Sequence, residues 1–330
     1  MMPAMLEAFV RHPDGTGESV NSFADLARAY AVPDSIAWVD LESPTEQDLA
    51  DINRIIPLDD DARVDCLEGA QRPRIDEFED CLFLVLYGMR GTDLEDCDDI
   101  HPRKLAAFFS PRFLVTIHRQ VMPSVSEERE RARKHPEQYL AEGPDDVLYR
   151  IVHRMVDRFM NVAEWYETAI EVLEDRSLAD DVDRKLLGEA SDLRSAVLEM
   201  RHLAVAQREL IRPLADGDFD YIECDLRPHF SHVADELSQV VELIDSLREQ
   251  IAGVRDNYRT SIAQRTNDIM QTLTIFATIM LPMSLVAGIY GMNLPIWPSP
   301  ERPASFWVVL GVMGAIAVVM LTFFRRKRWL

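Results

Sequence analysis

The chain has 330 residues, enough for two or three domains with a sizeable core. Its 35 lysines and arginines against 57 aspartates and glutamates give a formal charge of −22, which argues against a nucleic-acid partner and against a polybasic membrane-surface protein. Residues 1–265 hold 30 of the basic and 55 of the acidic residues, so this part repels itself unless cations bind or screen it; a plain gain in solubility is the alternative meaning of that charge.

Cys66, Cys81, Cys97 and Cys224 show no C-x-x-C spacing and read as reduced thiols rather than a disulfide framework or zinc site. The opening stretch MMPAMLEAFVRHPDG lacks a basic segment followed by an apolar one, so no signal peptide is expected.

Residues 1–120 read as mixed α/β. SIAWVDL (35–41) is a short strand, and in the following ESPTEQDLADINRII, Ser43 or Thr45 can cap a helix with Pro44 in its first turn. CLFLVLYGM (81–89) is a continuous apolar strand of the kind found in a sheet covered on both faces. KLAAFFSPRFLVTIHR (104–119) reads as two strands around a Ser110-Pro111 turn. No Gly-rich phosphate loop and no Ser-His-Asp or Cys-His arrangement occurs at usable spacing, so an enzyme is not expected.

From about Asp145 the period becomes helical. Leu148, Val152, Met155, Phe159, Val162, Tyr166, Ala169 and Leu173 form one apolar run, and Leu186, Ala190, Leu193, Val197, Met200 and Ala204 form another. RPLADGDFD (212–220) is expected to break the second. A third run, Val233, Leu237, Val240, Ile244, Leu247, Ile251, Val254 and Tyr258, keeps a four-three alternation over nearly four heptads. Between Asp220 and Tyr290 the only prolines are Pro228 and Pro282, so a single helix from about Arg227 is expected, roughly 95 Å long at ~1.5 Å per residue.

Two apolar stretches close the chain. Ile269–Tyr290 and Ala304–Phe324 contain no formal charge and each has about the ~20 residues needed to cross hydrocarbon. Arg255, Arg259 and Arg265 precede the first, Arg325, Arg326, Lys327 and Arg328 follow the second, and the intervening loop holds only Arg302. Basic residues favour the cytoplasmic side, so both termini are expected there, with the loop outside. The layout expected is a cytosolic α/β domain (1–144), a helical region (145–268) with a stalk helix (227–268), and a membrane hairpin (269–330). In the hairpin the spans are 269–291 and 305–324, the outer loop is 292–304 and the basic tail is 325–330.

The helical stepping persists into the first span through Asn267, Met270, Thr274, Ala277, Leu281, Ser284, Gly288 and Gly291. Polar side chains at membrane depth face protein or water, and one hairpin cannot enclose a pore. Copies of this face arranged around an axis would make one, whereas tight packing of small residues between helices is the alternative.

The sequence TNDIMQTLTIFATIMLPMSLVAGIY, followed by Gly291-Met292-Asn293, resembles the CorA family of magnesium transport proteins. WVDLESPTEQDL (38–49), QRPRIDEFEDCLFLVLY (71–87) and FLVTIH (113–118) are similar to that family's N-terminal domain. The resemblance implies an α+β membrane protein: a cytosolic α/β/α domain, a long helical stalk continuing as the pore lining, two transmembrane helices per subunit, and a homopentamer. It implies Mg2+ influx across a cell membrane, with Co2+ and Ni2+ accepted, and closure by cytosolic Mg2+ bound between subunits.

It further implies a selectivity filter at Gly291, Met292 and Asn293, and a hydrophobic gate at Met270 and Leu273. Mg2+ dehydrates reluctantly, so neutral oxygens that hold its water shell suit the mouth, and Asn293 can supply them. A helix cap is the alternative role for Asn293. Met292 reads as packing, because thioether sulfur is too soft for Mg2+. Asn267, Thr274, Ala277, Leu281, Ser284 and Gly288 are the expected pore lining, and Pro282 can kink the span.

Regulation is where the chain departs from the family. Asp65 is retained, but Val64 stands where a second acid is common, and the stalk aspartate position falls on or near His232, with Asp235 beside it. His229 and His232 can share a face; histidine suits Zn2+, Co2+ or Ni2+ better than Mg2+. A solvated histidine pair is the plainer reading. Rival functions are a zinc-transporting branch of the superfamily, motivated by His232 and by Glu301 as the only acid in the outer loop, and a non-conducting membrane-anchored scaffold.

Overall fold

The computed structural model of the protein describes residues 5–67, 72–90, 101–179, 185–292, 303–327 and 329. In chain order these form β1 (Met5–Arg11), β2 (Gly17–Val20), α1 (Phe23–Tyr30), β3 (Ile36–Glu42), α2 (Glu46–Asn53), α3 (Asp60–Leu67), β4 (Arg74–Glu77), β5 (Leu82–Met89), β6 (Pro102–Ser110) and β7 (Phe113–His118). Then come α4 (Pro123–Lys134), α5 (Pro136–Tyr139), α6 (Pro144–Ser177), α7 (Lys185–Asp216), α8 (Arg227–Tyr290) and α9 (Pro303–Arg326). The chain divides into two compact units, residues 1–175 with 184–254, and residues 176–183 with 255–330.

The first unit is built on one seven-stranded sheet in the order β2-β1-β3-β7-β6-β5-β4. Only β3 and β7 pair in parallel; the other neighbours are antiparallel. Side chains alternate across a strand, so Ala8 and Val10 share one face while Phe9 points to the other. The first face packs Val39, Phe83 and Phe108 against Leu26 of α1, Leu49 and Ile52 of α2 and Cys66 of α3. On the second, Trp38 lies between Phe9 (ring centroids 5.4 Å apart) and Tyr139 of α5 (5.7 Å). Every residue of β5 is buried, as its unbroken apolar run predicts, although both of its neighbours are antiparallel. Cys66 and Cys81 are free and buried, and burial pushes their thiols up to about 12 and about 11.

One local expectation needs correction. Thr45, not Ser43, caps α2: its side chain accepts from the Asp48 N–H while Asp48 reaches back to the Thr45 N–H, which places Pro44 outside the first turn. The segment 212–220 ends α7, as expected, a few residues past Pro213. The helix continues to Asp216, and Gly217 (φ +81°) then turns the chain so that the Asp218 N–H reaches the Pro213 carbonyl. A proline costs a helix an N–H donor but still offers its carbonyl, and here that carbonyl closes the end.

The three apolar runs form the buried faces of the long helices. Leu148, Val152, Met155, Phe159, Val162, Tyr166 and Leu173 of α6 are buried, with Ile170 taking the place expected for Ala169. On α8 the seam from Val233 to Val254 is buried throughout, whereas Tyr258 is half-buried. Arg201 of α7 grips Asp245 of α8 with two hydrogen bonds of 2.8 and 3.2 Å. α8 runs unbroken for 64 residues with Pro282 inside it.

In the second unit α8 and α9 each contain a stretch long and apolar enough to cross a membrane, and neither stretch is buried within the chain. α9 extends two residues into the expected basic tail, to Arg326. The Ser261 hydroxyl donates to the Ser177 carbonyl at 3.2 Å, and the Gln271 amide donates to the Trp329 carbonyl at 2.8 Å. Trp329 stacks on the buried Phe324 with centroids 5.7 Å apart.

Candidate ion pathway and cation-binding residues

From Ile262 to Tyr290 the covered positions of α8 are Gln271, Ile275, Thr278, Ile279, Pro282, Met283, Val286 and Tyr290, of which Ile275 is the most buried. They repeat at helical spacing and define one face. The stripe Met270, Thr274, Ala277, Leu281, Ser284 and Gly288 lies on nearly the opposite side, its centre about 150° around the helix from the centre of that face. All six are exposed, as are Asn267 and Leu273. Met270, Leu273 and Leu281 are 60%, 67% and 71% exposed, values that leave these apolar side chains without cover inside the chain.

The stripe's polar atoms have a definite sense. The Thr274 hydroxyl donates back to the Met270 carbonyl at 2.7 Å. Its one proton is thereby used, and the oxygen can only accept from anything beyond the helix. The end of α8 is shaped for a turn: the Gly291 N–H reaches the Ala287 carbonyl at 3.0 Å and the Met292 N–H reaches Ile289 at 3.2 Å. A Cβ added at Gly291 would lie 3.3 Å from the Ala287 carbonyl oxygen, a tight approach. Asn293 lies outside the described residues.

The residues expected to bind a regulatory cation occupy different settings. Asp65, on α3, holds Arg74 of β4 through its carboxylate, and its carbonyl accepts from Lys104. Asp235 is exposed on α8. His232, also exposed, places Nε2 3.2 Å from Glu236 Oε1 one turn on. His229 does not join it; its Nδ1 lies 3.2 Å from the Asp225 carbonyl, and its ring meets Tyr149 edge-on at 5.3 Å.

Periodicity and motifs missed a further group. His153 and Asp157 of α6 and Glu236 of α8 each have a ligand atom within 4.8 Å of the others. His153 Nδ1 is 3.2 Å from Glu236 Oε2, and Nε2 is 4.0 Å from Asp157 Oδ2. The only sequence signal was the pair of i,i+4 spacings, His153/Asp157 and His232/Glu236, which need the helix packing to bring them together.

A separate group, this one buried, is structural. Asp40 and His118, on the paired strands β3 and β7, are fully enclosed, with His118 Nε2 3.2 Å from Asp40 Oδ1. Thr116 donates to Asp40 at 2.7 Å and accepts from the Trp38 indole at 3.1 Å, while Arg129 of α4 donates to Asp40 at 2.9 Å. Burial alone would push the His118 imidazole down, but the adjoining carboxylate outweighs it and holds the group above its ordinary value. Burial alone would raise Asp40, and its cationic and hydrogen-bonding neighbours hold it below the usual range instead.

Residues 33–326 match the family described as CorA-like Mg2+ transporter protein. The chain is 29% identical over 292 residues to YfjQ of Bacillus subtilis, covering 88% of this chain and 89% of that protein. It is 29% identical over 266 residues to the cobalt/magnesium transport protein CorA of Thermotoga maritima, covering 81% and 75% respectively. Its fold matches the complete structure of the CorA magnesium transporter from Methanocaldococcus jannaschii with a TM-score of 0.82 at 20% identity, over 100% of both chains. An N-terminal α/β domain, a long helix and two candidate C-terminal membrane helices are therefore parts of one known architecture, and the chain belongs to the CorA family of divalent-cation transporters.

Proposed function

We propose that the chain is one subunit of a homopentameric channel that admits Mg2+, and also Co2+ or Ni2+, into the cytosol. The observation that carries this reading is the uncovered stripe on α8. Its polar members, Asn267, Thr274 and Ser284, lie on a face that the rest of the chain leaves open. A hydrated cation turns its water hydrogens outward, and a back-bonded threonine meets them with an oxygen that can only accept. Met270 and Leu273 supply the apolar ring that excludes water when the pathway is shut. Gly291, Met292 and Asn293 form the mouth, with Asn293 oxygens receiving the hydrated ion.

In this reading residues 1–268 are cytosolic, with the α/β domain up to 144 and the stalk from 227, and residues 269–330 form the hairpin in the cell membrane with both termini inside. Cytosolic Mg2+ closes the pathway through Asp65 of one subunit and His232 or Asp235 of the next. Asp65 must exchange Arg74 for the ion, so closure competes with an ion pair already present.

Reconstitution in liposomes containing a Mg2+-sensitive dye tests the proposal. Mg2+ uptake is expected from the wild type and is lost in Asn293→Ala. Uptake of Zn2+ in place of Mg2+, driven by a proton gradient, would assign the chain to a zinc-transporting branch. No flux of any divalent ion would leave a membrane-anchored scaffold.

A further inference from the structure

We infer that Gln271 and Trp329 are positioning residues for the ion pathway: the chain beyond α9 folds back as a latch that fixes the inner end of the α8 stripe. The inference rests on the reading of Met270 and Leu273 as the gate, and its first support is how α9 ends. The helix stops at Arg326, but the chain stays against it. The Lys327 N–H reaches the Phe323 and Phe324 carbonyls, both at 3.1 Å, and the Trp329 N–H reaches the Phe324 carbonyl at 3.0 Å. A bond from a sixth residue back to the first, with an apolar contact between the same two, is a closure that wraps a chain over a helix end. Phe324 and Trp329 make both, for their rings stack with planes 18° apart and centroids 5.7 Å apart. Phe324 is 4% exposed where its neighbour Phe323 is 55% exposed, so the ring under Trp329 is the covered one.

The closure aims a carbonyl at α8. Carbonyls at and beyond the end of a helix have no ladder partner, and that of Trp329 accepts from the Gln271 amide at 2.8 Å. Gln271 has the matching need. It stands two residues inside the uncharged stretch that begins at Ile269, where an amide without a partner is costly. Trp329 suits the same depth, because an indole ring sits well at the boundary between hydrocarbon and water.

The position of the grip gives it a consequence. Gln271 lies between Met270 and Leu273 in the chain but on the covered side of α8, one residue and so about 100° around the helix from Met270. Met270 and Leu273 themselves are 60% and 67% exposed, so nothing inside the chain touches them closely enough to set their direction. The hold on Gln271 sets it instead, by fixing the rotation of this turn of α8 against the end of α9. An apolar ring excludes water only while its side chains converge at one level. Loss of the latch frees that turn, and the ring then closes poorly.

The test reads closure as well as uptake. The full chain in liposomes is assayed for Mg2+ flux with low and with saturating Mg2+ on the cytosolic side. Gln271→Leu keeps the bulk and removes the donor; Trp329→Ala removes the stack. Each should raise the flux that persists at saturating Mg2+ by about fivefold, the factor that one net hydrogen bond carries, and leave flux at low Mg2+ near wild type. Trp329→Phe should restore closure. The double variant should leak no more than either single one, because both substitutions break one contact. Trp307→Ala, which removes an exposed tryptophan at the other end of α9, should close normally. Wild-type closure in both single variants overturns the latch, as does an additive leak in the double variant. Hydrogen exchange of backbone amides 266–276 in detergent reads the latch without flux, and it should be faster in Gln271→Leu and Trp329→Ala than in the wild type or Trp307→Ala. If the wild type shows no flux, or flux that cytosolic Mg2+ does not close, the channel reading fails and the exchange decides the latch: unchanged exchange in both variants overturns it.

Discussion

The sheet and the C-terminal helices treat polar groups in opposite ways. In the sheet, Asp40, His118, Thr116 and Arg129 are drawn from β3, β7 and α4 and enclosed together. On α8 beyond Arg255, Asn267, Thr274 and Ser284 share an exposed face, and the apolar Ile269, Phe276 and Leu285 are exposed as well. The first arrangement is an interior completed by one chain. The second is a surface the chain leaves unfinished, because neither a polar stripe nor its apolar surroundings can be at rest in a single solvent.

The strongest way to break this comparison is to make the two uncovered faces of α8 alike. Ser284→Leu places a bulky apolar side chain in the stripe, and flux in liposomes should fall to the protein-free background. Phe276→Leu, on the apolar face, should leave flux close to wild type. Equal effects from both would mean that the stripe does not line the pathway.

A second, smaller effect belongs to the sheet. Asp40→Asn removes the carboxylate between His118 and Arg129 and leaves buried positive charge with less compensation, although Glu7 and Glu42 remain 3.5 Å from Arg129. The loss should be about 3 kcal/mol, read as a lower denaturation midpoint of the purified protein. Uptake per folded molecule should not change, since the substitution is in the enclosed region.

The legibility of the two regions differed for the same physical reason. Buried apolar runs announce themselves, so β3, β5, the β6–β7 pair and the seam of α8 were all readable, and the Gly-Met-Asn end of the stripe pointed to the family. Ionic burial does not announce itself. PSVSEERERARK of α4 looks like a solvated charged helix, yet Glu128 and Arg129 are buried. Glu128 is satisfied by Arg154 and by Tyr139 at 2.6 Å, and Arg129 by Asp40, partners that are distant in sequence. The His153–Glu236 contact was hidden likewise, since its halves lie on separate helices. Local spacing shows which residues share a face but not which faces meet.

The enclosed pair also makes a pH prediction with a definite sign. His118 is held above its ordinary value of 6.5, so its contribution is fully present below that pH and is lost as pH rises through the folded-state value. Asp40 is held below 3.8, so its contribution is present above that pH and is lost as pH falls through the folded-state value. The groups facing His118 are Asp40, the Gln120 carbonyl and, more distantly, Glu42 and the positively charged Arg129. Stability from this pair should therefore plateau between the two ordinary values, 3.8 and 6.5, and decline as pH rises from 6.5 through the folded-state value of His118. Thermal unfolding across pH should show that decline in the wild type and lose it in His118→Asn; identical alkaline slopes would contradict the assignment.

The smallest expected effect sharpens the comparison by being purely local. Thr45 and Asp48 satisfy two N-terminal donors of α2 reciprocally, through contacts of 2.8 Å and 3.3 Å on the exposed rim of the first unit. Thr45→Ala removes the cap and one half of that exchange, at a cost of about 1 kcal/mol. Thr45→Ser keeps the hydroxyl and should recover most of it, which separates the hydrogen bond from the lost methyl group. Because α2 packs its Leu49 and Ile52 on the sheet and carries none of the stripe, the loss should appear in the unfolding midpoint and not in ion uptake. A Thr45→Ala variant that unfolds normally but conducts poorly would show that the sheet's outer helices are coupled to the pathway, and the division between a finished interior and an unfinished surface would no longer describe how the protein works.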